Sequence, residues 1–170
     1  MSASLLSTLE NYGRYNRMAN ELLYEYCSTI PEDVLNKERP NTKHSIFGIL
    51  NYAMVVDRDW MNRFRGDNIE NVARDEILYS DFKTLKHARA EEDERIEDFV
   101  QNITIVFLSA QFQYKDSEGQ FRRDASDHLV LHMFNHQTYH RGRVAQILSE
   151  MDEGAPVLDY HILLNGRRRD

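Results

Sequence analysis

The sequence predicts an all-α protein, a four-helix bundle with a short hairpin between the third and fourth helices. Four long segments repeat apolar residues at steps of three or four, whereas one stretch alternates with a period of two. Only 3 prolines and 7 glycines interrupt the 170 residues. A chain of this length fits a single domain, residues 1–170, whose ligand sites are expected in the core between facing helices.

The first two helices are predicted from their apolar stripes. The first spans residues 4–29 and closes at Pro31. The second begins near Thr42 and ends where residues 66–68, Gly-Asp-Asn, break the pattern. Trp60 is the only tryptophan, and its place on the second stripe indicates a core anchor.

The third predicted helix, residues 80–102, carries two charges on its apolar stripe. They are Arg89 and Glu92. The interpretation we favour is a local ion pair that reaches solvent, which is common for charges on helices. The alternative is that one of them lines a polar pocket near the histidines described below.

A hairpin and a fourth helix follow. Phe112 and Tyr114 alternate with polar residues, and a turn at residues 116–119 comes next, which predicts a hairpin. The fourth helix is predicted over residues 124–153, with Asp124 as its cap. The tail after it is expected to be extended or unstructured and to pack back through residues 158–165.

Four histidines recur at every fourth position of the fourth helix. They are His128, His132, His136 and His140. Because a helix turns about 100° per residue, neighbouring pairs point the same way, and one metal ion can take two of them but not all four. Buried imidazole nitrogens need partners. A divalent metal would satisfy them, and so would hydrogen bonds from tyrosine and asparagine.

Composition limits the partners and the location. A net charge of −7, with Arg167, Arg168 and Arg169 as the only basic run, argues against a nucleic-acid partner. No apolar stretch is long enough for a membrane span, and the first residues do not resemble a secretion signal. The single cysteine, Cys27, forms no internal disulfide and is interpreted as a small packing residue. A cytoplasmic protein is predicted.

Three strings of the sequence resemble the motifs of one known family. HMFNHQTYHRGRVAQIL, residues 132–148, is similar to a signature in which a His-x-x-x-His pair precedes Arg-Gly. SIFGILNYAMVVDRDWMNRF, residues 45–64, resembles a companion motif through Asp57 and Trp60. YNRMAN, residues 15–20, is similar to the motif in that family's first helix. Together they resemble the DinB/YfiT-like metalloenzyme family.

The resemblance implies an up-down-down-up bundle, often dimeric, with a divalent metal such as zinc or nickel held by three histidines. Two of these would be His136 and His140. The third family position, five residues before Asp57, is occupied by Tyr52, and Arg143 stands where the family commonly has glutamine. We expect His132 to be a buried hydrogen-bond donor behind the ligands.

The substitution at position 52 weakens the implied metal site. A tyrosine ligates well only after losing a proton with a reference pKa of about 10. A bound cation would stabilise the phenolate, and Tyr52 is therefore still a candidate metal ligand. Alternatively, the Tyr52 hydroxyl bonds to His136 or His140 in an empty site. We therefore expect the metal to be weakly held or absent.

Two functions remain open. The resemblance implies a metal-dependent enzyme, a transferase or hydrolase acting on a small molecule, with thiol S-transfer as the class known among relatives. The alternative is a metal-poor, non-catalytic bundle that binds a ligand or assembles as a homodimer. A second apolar stripe on the fourth helix favours either a dimer contact or a neighbouring helix of the same chain, and it comprises Val130, Phe134, Val144 and Leu148.

Overall fold

The structure is a computed structural model that describes residues 2–39, 44–67, 77–116, 118–151 and 154–166. It is mostly helical, with one small sheet. The elements in chain order are α1 (Ser2–Cys27), α2 (Glu32–Asn36), α3 (Ile46–Arg65), α4 (Phe82–Asn102), α5 (Ile105–Leu108), β1 (Gln111–Lys115), β2 (Phe121–Ala125), α6 (Ser126–Glu150) and α7 (Tyr160–Asn165).

The four long helices, α1, α3, α4 and α6, correspond to the four predicted segments and contact one another in a ring. Both α1 and α3 contact both α4 and α6. Apolar side chains from these helices fill the centre, and among the largest fully buried ones are Leu9, Leu23, Ile49, Met54, Ile96, Met133 and Ile147. Cys27 and Trp60 are also buried, as predicted.

Local sequence sets the ends of the helices. Ser45 precedes α3, and its Oγ accepts a hydrogen bond of 2.9 Å from the Gly48 amide. Gly66 ends α3 in the left-handed conformation, with φ 71°, and this confirms the predicted break. Asp81 caps α4 by accepting a bond of 2.9 Å from the Thr84 amide. The predicted start near Thr42 lies outside the described residues.

The predicted hairpin is confirmed. Strands β1 and β2 pair antiparallel, with Gln111 opposite Ala125 and Lys115 opposite Phe121. One face of β1 packs on the helices, because the Tyr114 ring lies edge-on to Trp60 with centroids 5.2 Å apart. The short helix α5, which the sequence analysis did not predict, leads into this hairpin.

The proposed cap of the fourth helix is wrong. Asp124 belongs to β2, where its carboxylate accepts a hydrogen bond of 2.9 Å from the Tyr114 hydroxyl. Its side chain therefore stabilises the hairpin and does not cap the helix. Helix α6 begins at Ser126, whose Oγ donates to the Ala110 carbonyl at 3.0 Å. The strand thus runs directly into the helix.

The C-terminal tail packs back on α1, as predicted, but its last part is helical rather than extended. Tyr15 on α1 donates a hydrogen bond of 2.9 Å to the Leu158 carbonyl. In α7, Leu163 is buried against Tyr15 and Ala19. The tail therefore closes over the face of α1.

The second apolar stripe of α6 is buried within the chain. Its four residues, Val130, Phe134, Val144 and Leu148, are at most 3% exposed. The stripe is thus used by neighbouring helices of the same chain, and it is not a free dimer surface. Among the described residues, no helix combines the length and apolar character that a membrane crossing needs.

Candidate metal centre

Two histidines of α6 and one tyrosine of α3 lie together between these helices. The ring centroids of His136 and His140 are 4.3 Å apart. The Tyr52 ring lies 5.5 Å from the His136 ring and 5.0 Å from the His140 ring. All three predicted site residues are therefore brought together. We call the cluster of His136, His140 and Tyr52 the imidazole site.

His140 is the more buried of the two imidazoles, with 4% of its surface exposed. Burial, assisted by the nearby His136, Arg143 and His44, lowers the pKa of His140 from 6.5 to about 3. The imidazole is therefore neutral at pH 7. Its buried Nδ1 has no hydrogen-bond partner among the described residues, so a lone pair or an N–H remains to be satisfied.

Three further side chains flank the imidazole site. Tyr139 is 63% exposed, and its ring meets the His140 ring edge-on with centroids 5.0 Å apart. The Arg143 guanidinium lies over the Tyr139 ring, 5.8 Å from its centroid. His44 precedes α3 and is close enough for its charge to act on His140. The spacing of residues gave no signal for His44 or Tyr139.

The prediction for His132 is wrong. His132 is exposed, and its ring lies edge-on to Trp60 with centroids 5.7 Å apart. A step of four residues rotates a side chain by about 40°, so two turns before His140 the imidazole has left the side that faces α3. His128, another turn earlier, is also exposed.

The donor set of the imidazole site is two nitrogens and one phenol oxygen. No group of three or more histidine, cysteine, aspartate or glutamate side chains suited to a metal ion occurs in the described part of the chain. The donors that remain are the imidazoles of His136 and His140 and the Tyr52 hydroxyl, and nitrogen and oxygen donors of this kind suit a divalent ion such as zinc. The buried Nδ1 of His140 is consistent with such a ligand role.

The two charges of α4 are buried, although we expected them to form an ion pair that reaches solvent. Arg89 is 2% exposed and donates to the Asp57 carboxylate of α3 at 2.7 Å. It also pairs with Asp93, one turn along α4, at 3.0 Å. The interpretation of Arg89 as a solvent-reaching pair is thus wrong, because two buried carboxylates hold it inside. Glu92 is buried as well, but it pairs locally with the partly exposed Arg95 at 3.2 Å.

These charges belong to a buried polar network that joins all four long helices. Asn16 and Asn20 of α1 donate to Asp93 at 3.0 and 2.9 Å, and their amide oxygens accept from Arg141 of α6 at 2.6 and 3.0 Å. Gln137 of α6 donates to Asp57. The members are Asn16, Asn20, Asp57, Arg89, Asp93, Gln137 and Arg141, and we call them the polar network.

Burial dominates the electrostatics of the polar network. It raises the pKa of Asp57 to about 7 and that of Asp93 to about 6, while the positive charge of Arg89 opposes both shifts. The sequence analysis missed this network as a whole. A signal was present, because Asn16 and Asn20, Arg89 and Asp93, and Gln137 and Arg141 are polar pairs four residues apart within helices.

Comparison with known proteins agrees with this fold. The sequence model of the DinB family matches residues 1–168. Protein DinB of Bacillus subtilis (strain 168) is 25% identical over 160 residues, which cover 88% of this chain and 90% of that protein. The crystal structure of a DinB-like protein from Bacillus cereus ATCC 10987 aligns with a TM-score of 0.59 and 16% identity over 82% of this chain and 89% of that one. The chain therefore belongs to the DinB family.

Proposed function

We propose that the imidazole site binds a divalent metal ion, zinc or nickel, with His136, His140 and Tyr52 as its ligands. The observation that supports this proposal is the pair of imidazoles 4.3 Å apart, with the Tyr52 ring within 5.5 Å of both. We also propose that the four long helices form an up-down-down-up bundle and that the protein is cytoplasmic, as the family resemblance implies.

The affinity of this site for metal is expected to be low. A neutral imidazole is a good metal ligand, whereas a phenol ligates well only as the phenolate. Two nitrogens thus anchor the ion, and the phenol adds to the binding only when it ionises. The residue at position 52 sets the affinity of the whole site.

We propose that the protein is an enzyme that acts on a small molecule, a transferase or hydrolase, with S-transfer from a low-molecular-weight thiol as the reaction class. A bound divalent ion lowers the pKa of a coordinated water or thiol and polarises carbonyl groups. His136 and His140 would orient that ion from α6. Tyr139 is exposed and Arg143 is partly exposed beside the site, and we propose that a substrate enters there.

The polar network supports a second candidate function. Its members include Asn20, Asp57 and Arg141, which lie in the three strings that resemble family motifs, and their side chains form hydrogen bonds between helices. A chain that keeps the network but lacks a third histidine could serve as a non-catalytic, metal-poor protein that binds a ligand or forms a homodimer.

Metal analysis of untagged protein separates the two functions. We expect Tyr52→His to bind zinc or nickel at least tenfold more tightly than the wild type, since it completes a set of three nitrogens. His136→Ala should lose binding, and His128→Ala, which removes an exposed histidine of the same helix, should leave it unchanged. Equal affinity in the wild type and Tyr52→His would contradict the proposed ligand set. Activity of the metal-free wild type would contradict metal dependence.

A further inference from the structure

A cavity of about 460 Å³ lies between α6 and the C-terminal tail. Thr138, Arg141 and Gly142 of α6 line one side of it, and residues 156–160 of the tail line the other. Thr138 and Gly142 each follow a histidine of the imidazole site by two positions, and two positions turn a helix by about 200°. The cavity therefore lies on the opposite side of α6 from the imidazole site. Its volume is typical of pockets that bind small molecules.

Arg141 brings a positive charge to this cavity. Its side chain is almost completely buried, and its Nη1 donates to the amide oxygens of Asn16 and Asn20 at 2.6 and 3.0 Å. These acceptors are neutral, and the two carboxylates of the polar network pair with Arg89 instead. Within the described part of the chain, Arg141 thus lacks the counter-ion that a buried charge normally has.

One edge of the Arg141 guanidinium has hydrogen-bonding capacity to spare. This edge consists of Nε and Nη2. Nε has no hydrogen-bond partner among the residues that the structure describes, and Nη2 has one long bond of 3.3 Å to Thr138 Oγ1. Thr138 is exposed, and a threonine on a helix has two accessible rotamers, so its hydroxyl can turn away from Nη2. Two parallel N–H groups on one edge match the two oxygens of a carboxylate.

We propose that this cavity binds a small monocarboxylate, with the carboxylate on Nε and Nη2 of Arg141 and the apolar body between Gly142 and the tail. Gly142 leaves room for that body, since a Cβ built on it would meet no neighbour within 4 Å. Pro156 and Leu158 form an apolar wall opposite. Asp159 also lines the cavity, but it is exposed, so water screens its charge better than that of Arg141.

The test compares benzoate with benzamide, two probes of matched shape that differ in charge. Binding to the full-length, metal-free protein is followed by NMR. The methyl signal of Ala145 reports on the cavity, which this residue lines, and the ring signals of His136 report on the imidazole site. We expect benzoate to bind at least tenfold more tightly than benzamide, and to shift the Ala145 signal more than the His136 signals.

Two leucine variants test the place of binding. Gly142→Leu should weaken benzoate binding at least tenfold, because the new side chain fills the cavity while Arg141 keeps its partners in the polar network. His128→Leu adds the same side chain at an exposed position near the start of α6, and it should leave benzoate binding unchanged.

A third variant tests the guanidinium. Arg141→Lys should lower the preference for benzoate several-fold, because lysine keeps the charge but lacks the two parallel donors. Circular dichroism shows whether this variant is folded. If it is not, Gly142→Leu decides the outcome, since it leaves the polar network intact.

Three results would overturn the inference. They are equal affinity of the wild type for the two probes, unchanged benzoate affinity in Gly142→Leu, and a benzoate-induced shift that is larger at His136 than at Ala145. Absence of any benzoate binding counts as the first of these. The protein carries no metal in these measurements, so all three results are independent of the proposed metal site.

Discussion

At the residue scale, the polar network predicts a large loss of folding stability when one partner of a buried ion pair is removed. Arg89 is paired with two carboxylates that are themselves almost completely buried. Removing one partner of such a pair costs far more than the pair contributes, because the other charge stays inside without compensation. Exposed pairs contribute little, since water solvates their charges well.

Arg89→Met should therefore destabilise the fold by about 3–5 kcal/mol, as measured by urea unfolding at pH 7. Lys86 provides a matched control on the same helix, because it pairs with the exposed Glu25 and its own side chain is partly exposed. Lys86→Met should cost at most about 1 kcal/mol. A similar cost for the two variants would show that Asp57 and Asp93 are not confined in a dry interior.

The loss caused by Arg89→Met should shrink as the pH falls from 8 towards 5. Without Arg89, the pKa values of Asp57 and Asp93 rise further, since its charge lowers both. The folded variant then takes up protons at a pH where the unfolded chain, with a reference pKa of about 3.9, does not. Lower pH therefore favours the folded variant. Urea unfolding at several pH values measures this slope, and a pH-independent loss would contradict it.

At the element scale, Gly13 lets α1 approach α4 closely. A Cβ built on Gly13 would lie 2.6 Å from Val100 Cγ2 and 3.6 Å from the Glu97 Cα. Val100 is branched at Cβ and has little rotational freedom on a helix, so it cannot easily give way. Gly142, inside α6, has no such neighbour within 4 Å.

The two glycines should therefore respond oppositely to alanine. Gly13→Ala is expected to destabilise the protein by about 1–3 kcal/mol through the clash with Val100. Gly142→Ala should stabilise it by roughly 0.5–1 kcal/mol, because alanine favours the helix and meets no obstacle. Thermal unfolding of both variants measures the difference. A stabilising effect of Gly13→Ala would show that α1 and α4 are not in close contact at Gly13.

Element boundaries also show what the sequence can and cannot predict. The ends of α3 and α4 carry their own signals, Gly66 and Asp81, and apolar spacing marks the four long helices. The start of α6 carries no capping side chain, since the preceding strand delivers the chain into the helix. Asp124 was misassigned for this reason. The pairing of Arg89 with Asp93 is visible in their spacing on α4, but its second partner, Asp57, comes from α3, and spacing within one helix does not reveal that contact.

At the scale of the whole molecule, the C-terminal tail completes the surface of α1. Leu163 is 7% exposed, whereas Val157, earlier in the same tail, is 49% exposed. Leu163→Ala should lower the free energy of unfolding by about 2 kcal/mol or more, because it leaves a cavity. Val157→Ala should change it by less than about 0.5 kcal/mol. Urea unfolding distinguishes the two, and equal effects would show that α7 is not docked.

The imidazole site was predictable only through a combination of sources. The spacing of His136 and His140 indicated a shared face, and the family resemblance pointed to Tyr52 on another helix. Arg143 was noticed only as a departure from the family pattern. Its proximity to His140 follows from their spacing of three residues on α6, whereas the place of His44, which precedes α3, depends on how α3 and α6 pack.

The polar network also has a consequence for how the protein opens. Each of the four long helices supplies at least one of its members, so detaching any one of them would leave charged groups stranded in an apolar interior. Partial opening is therefore nearly as costly as complete unfolding. The backbone amides in the middle turns of α1, α3, α4 and α6 should exchange with deuterium through a single cooperative opening, with one common free energy of exchange.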